Sequence, residues 1–219
     1  MGLPQELVWR HPFPGPGLGV RILCNQEAQT DLPIVPSTDG QYAKLPVKSV
    51  GVQGDFRTYK SPGMLFLKGR EEASLSELES LSTQLINQNS DINRCLKLLQ
   101  VNFGEDIKSV SISCSAITPE RVQRLQRADH IITQTLQDMG LYQKVWQFPV
   151  VLAPLSFNGV GQESIILRPI DSIDAMSASV GKLPFDFFSR VTGEILQDPT
   201  LSAVFLDVTS KPPGTIEWE

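Results

Sequence analysis

The sequence predicts an α+β fold built from two similar units, each with the order strand, strand, helix, strand. Two observations lead to this fold class. The same order of predicted elements occurs in residues 45–113 and again in residues 148–209, and the first strand of each unit opens with a large apolar residue followed by Pro-Val, at Leu45 and at Phe148. Neither unit can cover a small sheet by itself. We therefore expect an internal pseudo-dimer with its helices on one face of small, mostly antiparallel sheets.

The composition is that of a globular protein. Of 219 residues, 41% are hydrophobic, which is enough for one large core or two small ones. The formal net charge of −5 and the absence of a sustained basic stripe argue against a nucleic-acid partner. No stretch reaches the roughly 20 apolar residues of a membrane span. The three cysteines are too scattered for a disulfide framework or a zinc site, so the cytosol is the expected compartment.

Residues 1–44 are predicted to form a lead-in segment that ends with a first strand. Proline and glycine recur up to Leu18, a composition that excludes both a helix and a strand ladder. Residues 19–24 then alternate as a strand would. The recurring glycines could suggest a phosphate loop, but Pro14 and Pro16 remove amide donors that such a loop needs. A rigid hinge is the better interpretation.

The first unit is placed at residues 45–117. Residues 45–52 and 64–68 are predicted to form paired strands, residues 74–99 a long helix and residues 107–113 the closing strand. Ser74 and Glu77 have the spacing of a capping box at the start of the helix.

The second unit, with a linker helix before it, is placed at residues 118–219. The linker helix is predicted to begin at Thr118-Pro119-Glu120 and to end near Met139. The remaining elements follow in the order of the first unit. Strands are expected at 148–154, 163–168 and 202–209, and a helix at 185–196.

The C-terminal tail has a composition suited to a nucleotide. Pro212 and Pro213 fix their own backbone angles and push Lys211 toward an extended conformation, which presents its ammonium from a stiff support. Lys211 is suited to phosphate, and Glu217 to hydroxyls or a base edge. The alternative is a surface salt bridge beside a docked Trp218.

A second candidate lies in the run from Gly51 to Arg57. It places the carboxylate of Asp55 and the guanidinium of Arg57 just past a predicted strand end. Arg57 could hold phosphate oxygens with two parallel hydrogen bonds, and Asp55 could orient it. The alternative is a hairpin turn in which the two side chains only pair with each other.

Nucleophilic or acid–base catalysis has little support. The two histidines, His11 and His130, lie in the lead-in and in a predicted helix, and no GxSxG elbow occurs. Asp171 and Asp174 flank a strand and are typical of turn residues. We predict no catalytic residue and no metal ligand in this chain.

Three motifs in order make the sequence resemble one family. RHPFPGPGLGVRIL at residues 10–23, VKSVGVQGDFRTY at residues 47–59 and SKPPGTIEWE at residues 210–219 are similar to the C-terminal part of glutamine-hydrolysing GMP synthases, in their longer eukaryotic-type form. LRPIDSIDAMS at residues 167–177 is similar as well, although Ser177 stands where threonine is usual. The resemblance runs from Leu7 to Glu219.

The resemblance implies a function and a site. The chain would be the C-terminal domain of a GMP synthase, contributing XMP binding and domain assembly to the ATP- and glutamine-dependent amination of XMP to GMP. The residues expected to bind XMP are Asp55, Arg57, Gln147, Lys211, Ile216 and Glu217.

The resemblance also implies partners and cofactors. ATP and Mg²⁺ would belong to the complete enzyme, with its glutaminase and ATP-pyrophosphatase domains, whose motifs do not occur here, so the chain alone is expected to be inactive. A homodimer and a monomer are both open, as is the question of a fragment, a truncated product or a separate subunit. The alternatives are a stand-alone module that binds purine nucleotides and an assembly scaffold that binds none.

Overall fold

A mixed sheet of seven strands forms the centre of the computed structural model, which describes residues 2, 8–13, 17–54, 56–67, 73–104 and 106–219. Three α-helices and two smaller sheets pack around it in the described part of the chain. The helices are α1 (Leu75–Gln88), α2 (Pro119–Asp138) and α3 (Phe185–Ile195). The strands are β1 (Gln29–Pro33), β2 (Tyr42–Lys44), β3 (Ser49–Gln53), β4 (Phe56–Leu65), β5 (Ile92–Val101), β6 (Ser109–Ile112), β7 (Val150–Ala153), β8 (Leu155–Phe157), β9 (Glu163–Leu167), β10 (Ile170–Asp171), β11 (Ser179–Val180) and β12 (Leu201–Asp207).

The strand order of the central sheet is β2-β4-β5-β12-β9-β7, and β3 pairs with β4 beside this path. On one side, β4 and β5 are parallel and are connected through α1; on the other, β9 and β12 are parallel and are connected through α3. The two sides meet where β5 pairs antiparallel with β12. The predicted α+β class with mostly antiparallel sheets is confirmed. The pseudo-dimer and its boundaries at residues 45 and 118 stay a prediction.

The core has two apolar layers because both faces of the central sheet are covered. Along β12, Val204 and Leu206 pack toward the layer that contains the helices, while Ala203 and Phe205 pack toward the small sheet β1-β6-β8. This is the alternation that strand geometry requires. None of the described helices is long and apolar enough to cross a membrane.

The predicted helix at residues 74–99 is correct at its start and wrong at its end. The Ser74 hydroxyl accepts a hydrogen bond from the Glu77 amide and the Glu77 carboxylate accepts one from the Ser74 amide, which completes the capping box. The helix ends at Gln88, because the polar run that follows favours turns and Asn89 donates its side-chain amide to the Leu85 carbonyl. The next residues form β5, whose buried start from Ile92 to Leu96 includes Asn93 and Arg94, so the strand shows no strict alternation of apolar and polar residues that would distinguish it from a helix.

Two other strand predictions need correction. Residues 107–113 contain β6, but β6 belongs to the small sheet, and β5 is the strand that closes the first half. Residues 19–24 do not form a strand. A 3-10 helix spans Gly17–Arg21, and the sheet is reached only at Ile22, which forms an isolated bridge to Leu152.

The second half follows its prediction more closely. The linker helix begins after Thr118, whose hydroxyl accepts from the Arg121 amide, and ends at Asp138. The strands β7, β9 and β12 and the helix α3 lie within a few residues of the predicted positions. In the first half the hairpin is longer than predicted, since β4 begins at Phe56.

Candidate functional site

The C-terminal tail, residues 210–219, is docked against β3 instead of projecting from the surface. The Val52 amide donates to the Pro213 carbonyl at 2.7 Å, and the Val50 amide donates to the Trp218 carbonyl at 2.9 Å. The tail therefore runs antiparallel to β3. Gly51 permits this approach, because a Cβ atom there would lie 3.0 Å from the Pro213 carbonyl oxygen.

A fully buried ion cluster lies beneath the tail, and we call Asp207, Arg94, Arg168 and Trp218 the Asp207 cluster. One carboxylate oxygen of Asp207 accepts from Arg94 at 2.9 Å and from the Trp218 indole at 3.0 Å, and it forms an ion pair with Arg168 Nη1 at 3.0 Å. The side chains of the three charged residues and Trp218 are 0% exposed. The Arg94 guanidinium also lies 4.9 Å from the centre of the Trp218 ring.

The two arginines of the cluster fix the backbone of the tail. Arg168 donates to the carbonyls of Thr215 and Ile216 at 2.8 and 3.0 Å. Arg94 donates to the carbonyls of Thr215 and Glu217 at 3.0 and 2.9 Å. Residues 215–218 are thus held through main-chain oxygens and one indole, independently of the Glu217 side chain.

Together, burial and the neighbouring charges lower the pKa values of both Asp207 and Arg94. Burial raises the pKa of Asp207, but Arg168 and Arg94 outweigh burial, so the pKa lies below its ordinary value of 3.8. Burial, together with the neighbouring Arg168, lowers the pKa of Arg94 to about 9. At neutral pH the carboxylate and the Arg94 guanidinium are therefore both charged.

The side chain of Glu217 forms a second, more accessible group, which we call the Glu217 site: Glu217, Gln147 and Arg21. Gln147 donates its side-chain amide to Glu217 Oε1 at 3.1 Å. Arg21 donates from Nη2 to the same oxygen at 3.0 Å and from Nε to Oε2 at 3.2 Å. The Glu217 side chain is 18% exposed and that of Arg21 3%. Two of the sequence-predicted residues, Gln147 and Glu217, are thus brought into direct contact.

The other sequence-predicted residues lie along the same tail or beside it. Lys211 is half-buried at the start of the tail, where its ammonium donates to the Ala175 carbonyl at 2.5 Å and its backbone pairs with Ala178. Ile216 is half-buried between Thr215 and Glu217. The tail therefore presents a cation at one end and a carboxylate at the other.

Arg57 follows the end of β3, and it already lies within β4. It is exposed and pairs with Val52 of β3, so that β3 separates its backbone from the tail. Asp55 lies outside the described residues, and so does the predicted contact between Asp55 and Arg57.

Comparison with known proteins assigns this fold and tail to a family. Residues 134–218 match the family model described as the GMP synthase C terminal domain. The chain carries the C-terminal domain of GMP synthases. Gln147, Lys211, Ile216 and Glu217 lie within the matched segment, whereas Arg21 and Arg57 precede it.

Curated relatives extend the similarity over the whole chain. The chain is 37% identical to "Probable GMP synthase [glutamine-hydrolyzing]" of Leptospira interrogans, over all of this chain and 37% of that protein. It is 30% identical to "GMP synthase [glutamine-hydrolyzing]" of Dictyostelium discoideum, over all of this chain and 38% of that protein. The corresponding protein of Nitratidesulfovibrio vulgaris is 42% identical, with 26% of its length covered. The chain thus spans less than two fifths of these GMP synthases.

Sequence reasoning missed the buried arginines of this GMP synthase domain. The predicted helix at residues 74–99 included Arg94, which in the structure belongs to β5. Asp207 carried a usable signal, because a lone carboxylate in an apolar strand must be paired in the core. Arg168 and Arg21 were within recognised motifs, but nothing in their spacing pointed to the tail.

Two further ionisable groups of the described chain have pKa values shifted by burial. His11 stacks on Tyr142 with ring centres 4.0 Å apart, and its pKa is lowered mainly by burial. Burial also raises the pKa of the Cys95 thiol to about 12, which makes it a poor nucleophile. Among the described residues, no group of three histidine, cysteine or acidic side chains has an arrangement that could hold a metal ion.

Proposed function

We propose that the chain binds XMP, as the C-terminal domain of a GMP synthase, during the ATP- and glutamine-dependent amination of XMP to GMP. The observation that carries the proposal is the Glu217 carboxylate. It is fixed by three hydrogen bonds at the end of a docked tail, and it is still partly open to solvent. Membership of the GMP synthase family supports the choice of a purine nucleotide.

The Glu217 carboxylate retains acceptor capacity for a ligand. A carboxylate offers about four lone-pair positions. The donors found among the described residues take two on Oε1 and one on Oε2. The remaining position on Oε2 is suited to a ribose hydroxyl or a ring N–H of XMP.

Cations near the start of the tail are suited to the phosphate. The Lys211 ammonium has three donors, of which one is directed to the Ala175 carbonyl. The exposed Arg57 guanidinium is a candidate second cation because it can bind a phosphate with two parallel hydrogen bonds. Asp55 and Ile216 complete the proposed set of contacts.

The role of these residues would be to bind and orient the substrate. Ordering XMP beside an adenylating site lowers the entropic part of the barrier without any acid, base or nucleophile from this chain. ATP, Mg²⁺ and the glutaminase and ATP-pyrophosphatase domains would act in the complete enzyme. The same chain would also contribute to the assembly of those domains.

A calorimetric titration of the purified chain with XMP tests the proposal. We expect saturable binding to XMP, none to guanosine, and weaker binding to Lys211→Ala, with the loss larger at low salt than at high salt because the lost contact is electrostatic. Lys182→Ala removes an exposed lysine with the same change of net charge and is the matched control. Absence of saturable binding would contradict XMP binding by this chain and leave an assembly scaffold.

A further inference from the structure

We infer that Arg21 is a positioning residue that fixes the orientation of the Glu217 carboxylate. The inference rests on the proposed function in one respect, namely that Glu217 contacts the nucleotide. Arg21 itself would not touch the ligand. Its effect on binding would be exerted through the two oxygens of Glu217.

The contact between the two side chains has the geometry of an orienting clamp. Nε and Nη2 lie on the same edge of the guanidinium, and each donates to a different oxygen of the carboxylate, at 3.2 and 3.0 Å. Two parallel hydrogen bonds define the plane of the carboxylate as well as its position. Gln147 donates to Oε1 only, so it restrains one oxygen and leaves the plane free to turn.

Arg21 is itself held firmly enough to serve this purpose. Its guanidinium carbon lies 4.9 Å from the centre of the Phe13 ring, and Nη1 lies 3.9 Å from the Asp129 carboxylate. The backbone directly after it is attached to the central sheet, where the Leu23 amide donates to the Leu152 carbonyl at 2.9 Å. A buried, anchored guanidinium loses little further entropy when it binds a carboxylate.

Residues other than Arg21 hold the tail against the domain, so the effect of Arg21 on the Glu217 side chain can be tested separately from docking of the tail. Arg94 and Arg168 bind the tail through its carbonyls, and Trp218 is held by Asp207. Arg21 contacts the tail only at the Glu217 side chain among the hydrogen bonds found for the described residues. Removing Arg21 should therefore release the carboxylate and leave the tail docked.

The experiment compares Arg21→Gln, Arg21→Lys and Arg127→Gln in the same chain. Arg127→Gln is the control, since Arg127 binds Asp198 at an exposed site on α2. NMR relaxation of the Glu217 side chain, assigned with Glu217→Gln, reports the order of the carboxylate. The Trp218 indole N–H resonance reports whether the tail is docked, and calorimetry reports XMP affinity.

We expect Arg21→Gln to loosen the Glu217 side chain, to leave the Trp218 resonance in place and to weaken XMP binding about tenfold, as loss of a charge-assisted contact implies. Arg21→Lys keeps the positive charge but cannot form the two parallel hydrogen bonds of a guanidinium. It should therefore bind XMP more tightly than Arg21→Gln and less tightly than the wild type. The double variant Arg21→Gln/Glu217→Gln should bind XMP as Glu217→Gln does, because Arg21 acts through Glu217.

The outcomes distinguish this inference from the proposed function. A looser Glu217 in Arg21→Gln, in a chain whose wild type does not bind XMP, would refute the proposed function and support positioning. An unchanged Glu217 side chain would overturn the inference, whether or not XMP binds. Loss of the Trp218 resonance in both Arg21 variants, or failure of both to fold, would overturn it as well, because Arg21 would then hold the tail as a whole.

Discussion

The Asp207 cluster and the Glu217 site use the same chemistry for different purposes. Each places arginine and carboxylate side chains close together, and the two groups meet at the tail, where Trp218 of the first is adjacent to Glu217 of the second. In the first, every charged side chain is 0% exposed, and both arginines also donate to backbone carbonyls of the tail. In the second, the carboxylate is 18% exposed and keeps an acceptor position. Burial, more than residue type, separates the structural group from the candidate ligand-binding group.

The largest expected effect comes from Asp207→Asn. The variant would leave Arg94 and Arg168 in the core without their shared counter-charge, and breaking a buried ion pair in this way costs about 3–5 kcal/mol of unfolding free energy. Urea unfolding measures the change. Asp138→Asn, which removes the exposed partner of Arg190, should leave the stability nearly unchanged. Equal losses in both variants would contradict the distinction drawn from burial.

The second expected effect is a dependence of the unfolding free energy on pH. Burial raises the pKa of Asp207 but is outweighed by Arg168 and Arg94, so the folded pKa lies below the ordinary 3.8. The folded state then binds fewer protons than the unfolded state near that pH, and the stabilisation present above 3.8 is lost as pH falls through the lower folded pKa. The difference in unfolding free energy between wild type and Asp207→Asn should shrink from about pH 5 to about pH 3. A constant difference would show that Asp207 is not the group responsible.

The fold was predictable to the extent that periodicity and caps were unambiguous. The second half has clear caps at Thr118 and short apolar strands, and its elements lie close to their predicted positions. In the first half, the buried start of β5 contains Asn93 and Arg94 among apolar residues, and because it shows no strict alternation the strand was joined to α1 in the prediction. The two hairpin pairings, β3 with β4 and β7 with β9, were predictable from their proximity in sequence, whereas the small sheet was not, because it joins β1, β6 and β8 from distant parts of the chain.

For the candidate site, the sequence supplied residues through the family resemblance and supplied none of their contacts. Family motifs pointed to Gln147 and Glu217, which the fold brings together, and to Lys211 at the other end of the tail. The partner that orients Glu217 is 196 positions away in sequence. Long-range ion pairs of this kind leave no local pattern, so Arg21 could be found only from the structure.

The smallest expected effect on stability, and the most useful for the comparison, comes from Glu217→Gln. Gln keeps the shape and part of the hydrogen bonding, and the tail remains held by Arg94, Arg168 and Trp218, so we expect a loss of about 1–2 kcal/mol. XMP affinity should nevertheless fall about tenfold or more, since an amide offers fewer acceptor positions and no charge. Urea unfolding and calorimetry on one preparation give both quantities. If stability falls as far as in Asp207→Asn while XMP affinity is unchanged, Glu217 belongs to the structural group, and the nucleotide contact must be sought elsewhere on the tail.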